Sequence, residues 1–132
     1  MEKMMASPSL QIDFQLLGTA IPPKEISKAL EIIPDTALLR GERNPKIGLP
    51  RSNLWSIRSN SASDEVSEHW KTLEPALFKA KDRIREIAKT GRAKITIIVE
   101  GPGRLPPLTI PPEMSYFAGY VNSEIDIDHL QN

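Results

Sequence analysis

An alternating segment near the start of the chain constrains the fold most. Residues 10–16 read Leu-Gln-Ile-Asp-Phe-Gln-Leu, so apolar and polar side chains take turns. Successive side chains of a strand point to opposite faces, and this alternation therefore predicts a strand with one buried and one wetter face. Such a strand needs a sheet whose buried face is covered by another layer. We expect a sheet with helices on one face, leaving the face with Gln11, Asp13 and Gln15 either wet or at an interface.

The rest of the chain predicts further strands separated by helices. Pro22-Pro23 can open a helix because proline is tolerated in a first turn, and Pro34 ends it. An interior proline costs about 3 kcal/mol, so two helices meeting near Pro75 are expected rather than one rod. The remaining predicted elements are strands at Thr36 to Arg40 and Leu54 to Arg58, helical structure from Glu65 to Lys89, a strand at Ile95 to Val99, a helix opened by Pro111-Pro112, and a strand at Glu124 to Asp128.

This order of elements predicts an α+β fold. We expect a mostly antiparallel sheet with helices on one face, in a ferredoxin-like split-βαβ arrangement plus an extra helix–strand unit. Residues 9–132 are expected to form a single α+β domain after a flexible N-terminal segment, residues 1–8. Segments 19–27 and 108–115 are similar around Pro-Pro, and an old duplication or two independent helix starts both explain this.

The composition excludes several function classes. The chain has 132 residues, 17 basic and 17 acidic side chains and a formal net charge of zero, so it lacks the excess positive charge of a general nucleic-acid binder. It has no cysteine and two histidines, which excludes a disulfide frame, a thiol nucleophile and a Cys-ligated or His-rich metal centre. No cofactor or metal is expected. Its short apolar runs predict no membrane segment, and a cytoplasmic location is the expectation.

A family resemblance rests on four parts of the chain taken together. They are the segment Ile26 to Pro34, Gly41, Trp55 and the ending Ile125-Asp126-Ile127-Asp128. With them the chain resembles the bacterial domain of unknown function family 4279 over nearly its whole length after residue 9. The resemblance implies a small α+β domain with no established activity or catalytic residues, of a kind suspected of binding partners. The Gly101 to Pro107 loop departs from the family in its density of proline and glycine.

Basic residues in loops form the main candidate binding site. The stretch from Arg40 to Arg51 carries Arg40, Arg43, Lys46 and Arg51 against Glu42 alone. Such a loop can attract an acidic partner or a nucleic-acid backbone, with Arg104 as a further candidate binding residue, although a solvated loop is the plainer interpretation. Arg40 and Arg51 also flank predicted strands.

Other polar residues are weaker candidates. Asp126 and Asp128 share one strand face with Glu124, which is typical of an edge strand protected from aggregation, and also suits a cation or basic partner. His69 is expected to make a surface contact with Glu65. His129 lies near the C-terminus, where chains are often loose.

Neither loop nor tryptophan patterns indicate chemistry. Pro102 removes a backbone donor that a phosphate loop would need, so residues 100–104 are expected to form a stiff turn. Trp55 and Trp70 fall in apolar patterns and are expected to anchor the core.

These observations favour a non-enzymatic function. We predict a non-catalytic protein-binding or oligomerising module that uses its uncovered sheet face or its basic loop, with an immunity role among those left open. A sensor of a small ligand or anion near Arg40, Arg51 and Arg104 is the second hypothesis. A small hydrolase or transferase using Glu100 or Asp126 with His69 is the third.

Overall fold

The computed structural model describes residues 9–42 and 50–131, and within them the chain is a mixed α+β structure. The predicted flexible segment 1–8 and the basic-loop residues Arg43 and Lys46 lie outside the described residues. The predicted order of strands and helices is confirmed. The elements are β1 (Ser9–Leu17), α1 (Pro23–Leu30), β2 (Thr36–Leu38), β3 (Leu54–Arg58), α2 (Val66–Lys79), α3 (Lys81–Ala88), β4 (Arg92–Glu100), α4 (Pro112–Tyr120) and β5 (Ser123–Leu130).

The five strands form one sheet in the order β2-β3-β1-β4-β5. Strand β1 is central and antiparallel to both β3 and β4, with Phe14 opposite Ile57 on one side and Ile95 on the other. Strand β2 is antiparallel to β3, whereas β5 is parallel to β4. The prediction of a mostly antiparallel sheet is therefore confirmed for the described strands.

Two split βαβ units interleave in the sheet. Strands β3 and β4 are both antiparallel to β1 and so run in the same direction, with β1 between them and α2 and α3 connecting them. Strands β1 and β2 are likewise both antiparallel to β3 and so run in the same direction, with β3 between them and α1 connecting them. Strands β1 to β4 therefore follow the βαββαβ order of the predicted split-βαβ arrangement. Helix α4 and strand β5 extend the sheet by a helix–strand unit.

The core lies between the helices and one face of the sheet. The apolar side chains of β1 and β4 that alternate with polar ones are buried, as the alternation predicts. Trp55 and Trp70 are buried, so their predicted role as core anchors is confirmed. Each large apolar side chain removed from water stabilises the fold by roughly 1.5–3 kcal/mol. Largest among the fully buried side chains are Trp55, Trp70, Phe14, Phe117, Ile12, Leu16, Ile26, Leu77, Ile84, Ile95, Ile97 and Met114.

Pro75 does not break the helix that contains it. Helix α2 continues through Pro75 to Lys79, and α2 and α3 meet at Ala80, where φ is −100° and ψ is 7°. Pro75 and Lys71, whose carbonyl loses its hydrogen bond to the missing N–H, are both exposed, so water can satisfy that carbonyl. The predicted pair of helices is therefore confirmed, whereas the predicted position of their junction near Pro75 is wrong.

A glycine connects the helix layer to the sheet at the start of β4. A Cβ atom at Gly91 would overlap the carbonyl oxygen of Leu17. Only glycine permits this close approach of two backbones, which sets the beginning of β4 against the end of β1. Among the described residues, no helix combines the length and apolar character that crossing a bilayer requires.

Candidate functional site

A chain of aromatic rings leads from the core to the surface of the helix layer. Phe14 of β1 contacts Phe117 of α4 edge to face, with ring centroids 5.5 Å apart. Phe117 lies 5.9 Å from Phe78 of α2, and Phe78 stacks on Tyr116 at 6.1 Å. Tyr116 stacks in turn on Tyr120 at 5.9 Å. We call Phe78, Tyr116 and Tyr120 the aromatic patch, because these three rings continue the core outward onto the surface.

The helical repeat of α4 places the two tyrosines on its outer side. Met114, Phe117 and Ala118 are buried and hold the inner face of α4 against the core. Tyr116 and Tyr120 lie one turn apart, so they share a side of the helix. Tyr116 is 53% exposed, a large fraction for an aromatic ring whose neighbours are packed.

Two cations from α3 lie over the Tyr120 ring. The Lys81 ammonium is 4.3 Å from the centroid of the Tyr120 ring, and the Arg85 guanidinium carbon is 4.9 Å from it. A cation at such a distance is attracted to the negative face of the ring by about 0.5–1 kcal/mol at an exposed position. Lys81 and Arg85 are four residues apart on α3, so both can reach the same ring. The contacts hold the cations in place beside the aromatic patch.

An aspartate fixes the hydroxyl end of the same tyrosine. The Tyr120 hydroxyl donates a hydrogen bond to the Asp82 carboxylate, and the Lys81 ammonium lies 3.7 Å from that carboxylate. The Tyr120 hydrogen bond, together with the charge of Lys81, lowers the pKa of Asp82 below the ordinary aspartate value. Asp82 is therefore ionised at neutral pH and orients the Tyr120 ring.

The opposite side of the molecule is the face of the sheet that carries no helix, which we call the open sheet face. At its centre the Asp13 residue is only 8% exposed. It accepts hydrogen bonds from Gln11 Nε2 at 3.0 Å and from Arg58 Nε at 3.3 Å. A buried carboxylate needs such partners, and here Gln11 of the same strand and Arg58 of the neighbouring β3 supply them.

Ion pairs between β4 and β5 continue across the open sheet face. Lys94 Nζ lies 3.0 Å from the Asp126 carboxylate, and Arg92 pairs with Glu124. The parallel register, which sets Lys94 opposite Glu124 and Thr96 opposite Asp126, brings these charges together. Two carboxylates of the predicted acidic row therefore already have a cation from the neighbouring strand.

The predicted basic site is divided between two ends of the sheet. Arg40 and Arg51 are exposed near the start of β3, where the Arg40 amide donates to Asn53 Oδ1 at 2.9 Å. Arg104 is exposed and follows Glu100, whose partner Ser9 begins β1. The start of β3 pairs with the other end of β1, a nine-residue strand, so the two ends are on the order of 25 Å apart. Arg104 does not join Arg40 and Arg51 in one site.

His69 is buried, and the predicted surface contact with Glu65 is wrong. Its Nδ1 lies 2.6 Å from Ser59 Oγ, and its Nε2 lies 2.7 Å from the Ser63 carbonyl oxygen. Because a carbonyl only accepts, Nε2 carries the proton and Nδ1 accepts from the Ser59 hydroxyl. Ser59 Oγ also accepts from the Ile12 amide at 2.9 Å. His69 therefore fastens the connection between β3 and α2 to β1.

The residues of the predicted hydrolase do not converge. His69 lies beneath α2 in the core, whereas Glu100 and Asp126 lie on the side of their strands opposite the helices. Surface cavities of about 290 and 280 Å³ adjoin at the start of α2, where Asp64, Glu65 and Pro107 line both. A third, of about 350 Å³, includes Arg92 and Glu124. His69 lines none of these three cavities.

The aromatic patch was missed by the sequence analysis, although a signal was available. The apolar stripe of α4 runs through Met114, Phe117, Ala118 and Val121. Tyr116 and Tyr120 fall outside this stripe at a spacing of four residues, and two large rings off the buried face of a short helix indicate an exposed aromatic surface.

Comparisons with known proteins bear on the family of the chain. Neither the curated proteins nor the solved structures give a match. A family model does match, over residues 8–132, which is nearly the whole chain. The predicted resemblance is confirmed by this match. The chain belongs to the family described as Domain of unknown function (DUF4279).

Proposed function

We propose that this protein is a non-catalytic protein-binding module and that the aromatic patch is its binding surface. The observation that carries the proposal is the exposed Tyr116 ring, stacked between Phe78 and Tyr120. Tyrosine and arginine are enriched at protein interfaces, and Arg85 lies on the Tyr120 ring. The patch thus has the residue types and the exposure that a binding surface requires.

The rigidity of the patch supports binding. A side chain that becomes fixed on association loses about 0.5–1.5 kcal/mol of conformational freedom. Stacking on Phe78 and Tyr120 already restricts the Tyr116 ring, and the Asp82 carboxylate restricts the Tyr120 ring. Most of this cost is therefore met in folding, and a partner meets a preorganised surface.

The open sheet face is a poorer surface for binding. Asp13, Glu124 and Asp126 each have a cationic partner within the sheet. A docking protein would have to desolvate these pairs and would gain little new interaction from them. The aromatic patch has the opposite property, because covering Tyr116 removes apolar surface from water.

The arrangement of Ser59 and His69 supports a structural role rather than catalysis. Ser59 Oγ is engaged by the Ile12 amide as well as by His69, and both residues are buried. A nucleophile must reach its substrate, and this hydroxyl is enclosed by β1 and α2.

Affinity capture with a matched control tests the proposal. The wild-type protein, Tyr116→Ser and Ile33→Ser are immobilised and exposed to lysate of the source cells. Ile33 is 94% exposed in the connection between α1 and β2, so its replacement removes similar apolar surface elsewhere. We expect a protein that wild type and Ile33→Ser retain and Tyr116→Ser loses at least tenfold.

Two results would contradict the proposal. Equal capture by wild type and Tyr116→Ser places binding elsewhere, and so does loss only in an open-face variant such as Lys94→Glu. Circular dichroism and thermal unfolding of each variant show whether the fold is retained, so that a loss of capture can be assigned to the surface.

A further inference from the structure

We infer that the aromatic patch recognises an acidic segment of its protein partner, in which a carboxylate side chain lies close to an aromatic or large apolar one. This inference rests on the proposed function and specifies the partner. The juxtaposition that carries it is a pair of cations, Lys81 and Arg85, held against the face of Tyr120 beside the exposed Tyr116 ring.

The charges around α3 favour a partner of negative sign. Between residues 79 and 89 the chain has five basic and two acidic side chains. Glu86 pairs with Lys89 at 2.8 Å, and Asp82 is engaged by Tyr120 and Lys81. Within residues 9–42 and 50–131, Arg83 and Arg85 have no carboxylate within ion-pair distance. Both local carboxylates are thus in use, whereas two guanidinium groups are available.

The position of Arg85 suits a carboxylate. A guanidinium that lies over an aromatic ring keeps its N–H groups at the edge, where two of them can hold both oxygens of a carboxylate. The ring contact also restricts the arginine before it binds, which reduces the entropy lost on binding.

The spacing of the tyrosines sets the pattern of the partner segment. The Tyr116 and Tyr120 centroids are 5.9 Å apart. Side chains at positions i and i+2 of an extended chain lie on one face about 6.6–6.8 Å apart. A segment with an acidic residue at i and an aromatic or large apolar residue at i+2 therefore places the acidic side chain beside Tyr120, whose ring Arg85 contacts, and the other side chain on Tyr116.

Two other occupants fit less well. A second copy of this chain, related by a two-fold axis through the patch, would bring Lys81 and Arg85 near their own counterparts, and like charges repel. A single-stranded nucleic acid also stacks on aromatic rings, but it requires a groove of positive charge along its backbone. The formal net charge of this chain is zero, and Asp82 lies within the patch.

Selection from a random peptide library identifies the chemistry of the partner segment. A phage library of random 12-residue peptides is selected on the wild-type protein after depletion on Tyr116→Ser. We expect the retained peptides to be enriched in Asp or Glu two residues from Phe, Tyr, Trp or Leu. Synthetic copies of the three most enriched peptides are then measured by fluorescence anisotropy.

Charge variants test the contribution of the cations. We expect Arg85→Glu and Lys81→Glu to weaken binding of these peptides at least tenfold, and Arg85→Lys to have an intermediate effect. Arg40→Glu is the matched control, because it reverses an exposed arginine of the basic loop and is expected to change affinity less than twofold. A rise from 50 to 500 mM NaCl is expected to weaken wild-type binding several-fold.

The outcomes separate this inference from the proposed function. If the retained peptides depend on Tyr116 but are basic or uncharged, the inference of an acidic partner segment is wrong, whereas the proposal that the aromatic patch is a binding surface stands. Peptides retained equally by Tyr116→Ser, or the absence of any retained peptide, count against both. Twelve-residue oligothymidylate that binds more tightly than the peptides, in a Tyr116-dependent way, overturns the protein partner in favour of nucleic acid.

Discussion

The open sheet face and the aromatic patch are both exposed, but they differ in how their side chains are satisfied. On the sheet, Asp13 is bonded by Gln11 and Arg58, and Lys94 pairs with Asp126. On the helix layer, the Tyr116 residue is about half exposed to water. On the open sheet face, carboxylates pair with cations of neighbouring strands. The aromatic patch, by contrast, has apolar area that only another molecule can cover.

This difference shows why exposure alone is a poor guide to binding. A polar face whose charges are paired across strands gains little from a partner, because its hydrogen bonds must be exchanged for others of equal strength. A rigid ring gains from being covered, since water is released from its surface. The patch also rests on the core through Phe117, so its shape is fixed by the fold.

Loss of Phe117 is expected to have the largest effect, because it removes the connection between patch and core. Phe117 is fully buried between Phe14, Trp70 and Phe78. Phe117→Ala leaves a cavity and should lower the free energy of unfolding by about 3–5 kcal/mol. Urea unfolding monitored by tryptophan fluorescence measures it. Tyr116→Ala should cost under ~1 kcal/mol, and equal losses in the two variants would contradict this account of the patch.

Loss of Asp13 is expected to have the next effect and to act on the open sheet face alone. Asp13→Ala removes the acceptor of the Gln11 and Arg58 hydrogen bonds and should cost about 1.5–3 kcal/mol, as for other bonds to charged groups. Chemical unfolding measures the loss, with Gln15→Ala on the same face as a control. Capture of the partner should be unchanged. If Asp13→Ala folds but no longer captures the partner, the open sheet face takes part in binding and the contrast between the two surfaces is wrong.

The ion pair between Lys94 and Asp126 is expected to contribute less. Both side chains are partly exposed, so a double-mutant cycle with Lys94→Ala and Asp126→Ala should give a coupling of about 0.2–1 kcal/mol. Repeating the cycle in 0.5 M NaCl should reduce the coupling, since salt screens exposed charges. A coupling of zero at low salt would show that this face is not satisfied by its own pairs.

The smallest expected effect concerns Asp82 and sharpens the description of the patch. Its pKa is lowered, first by the Tyr120 hydrogen bond and then by Lys81. A lowered pKa in the folded state stabilises the protein above the unfolded pKa, and this contribution is lost as pH falls through the folded pKa. Tyr120→Phe should raise the pKa of Asp82 in an NMR titration of its carboxyl carbon. An unchanged midpoint would show that the hydroxyl does not hold Asp82.

The order of elements and much of the core could be predicted from the sequence. The alternation in β1 and the apolar stripes of α1 and α4 reflect burial on one side, because apolar residues occupy the positions that face the core. The position of the junction between α2 and α3 could not be predicted. Pro75 is tolerated inside α2, because water can satisfy the carbonyl of the preceding turn that the proline leaves without a hydrogen bond. Whether a carbonyl faces water depends on how the helix packs.

The candidate site was less accessible to prediction. Arg40, Arg51 and Arg104 were selected by charge and loop position, and the sheet places Arg104 at the far end from the other two. His69 was expected at the surface, but it shares its helix face with the buried Trp70 and Leu73 and bonds to Ser59. The two tyrosines of α4 were visible in the sequence, whereas their neighbours on α2 and α3 were not.

The sequence by itself determined the order of strands and helices and which apolar side chains face the core, because periodicity and proline act on neighbouring residues. Only the tertiary structure decided which surface side chains have partners within the protein and which remain available to another molecule. Lys94 pairs with Asp126 through strand register, and the packing of three helices brings Phe78 to Tyr116 and Arg85 to Tyr120. Contacts between residues distant in the chain depend on the geometry of packing, which no local pattern records.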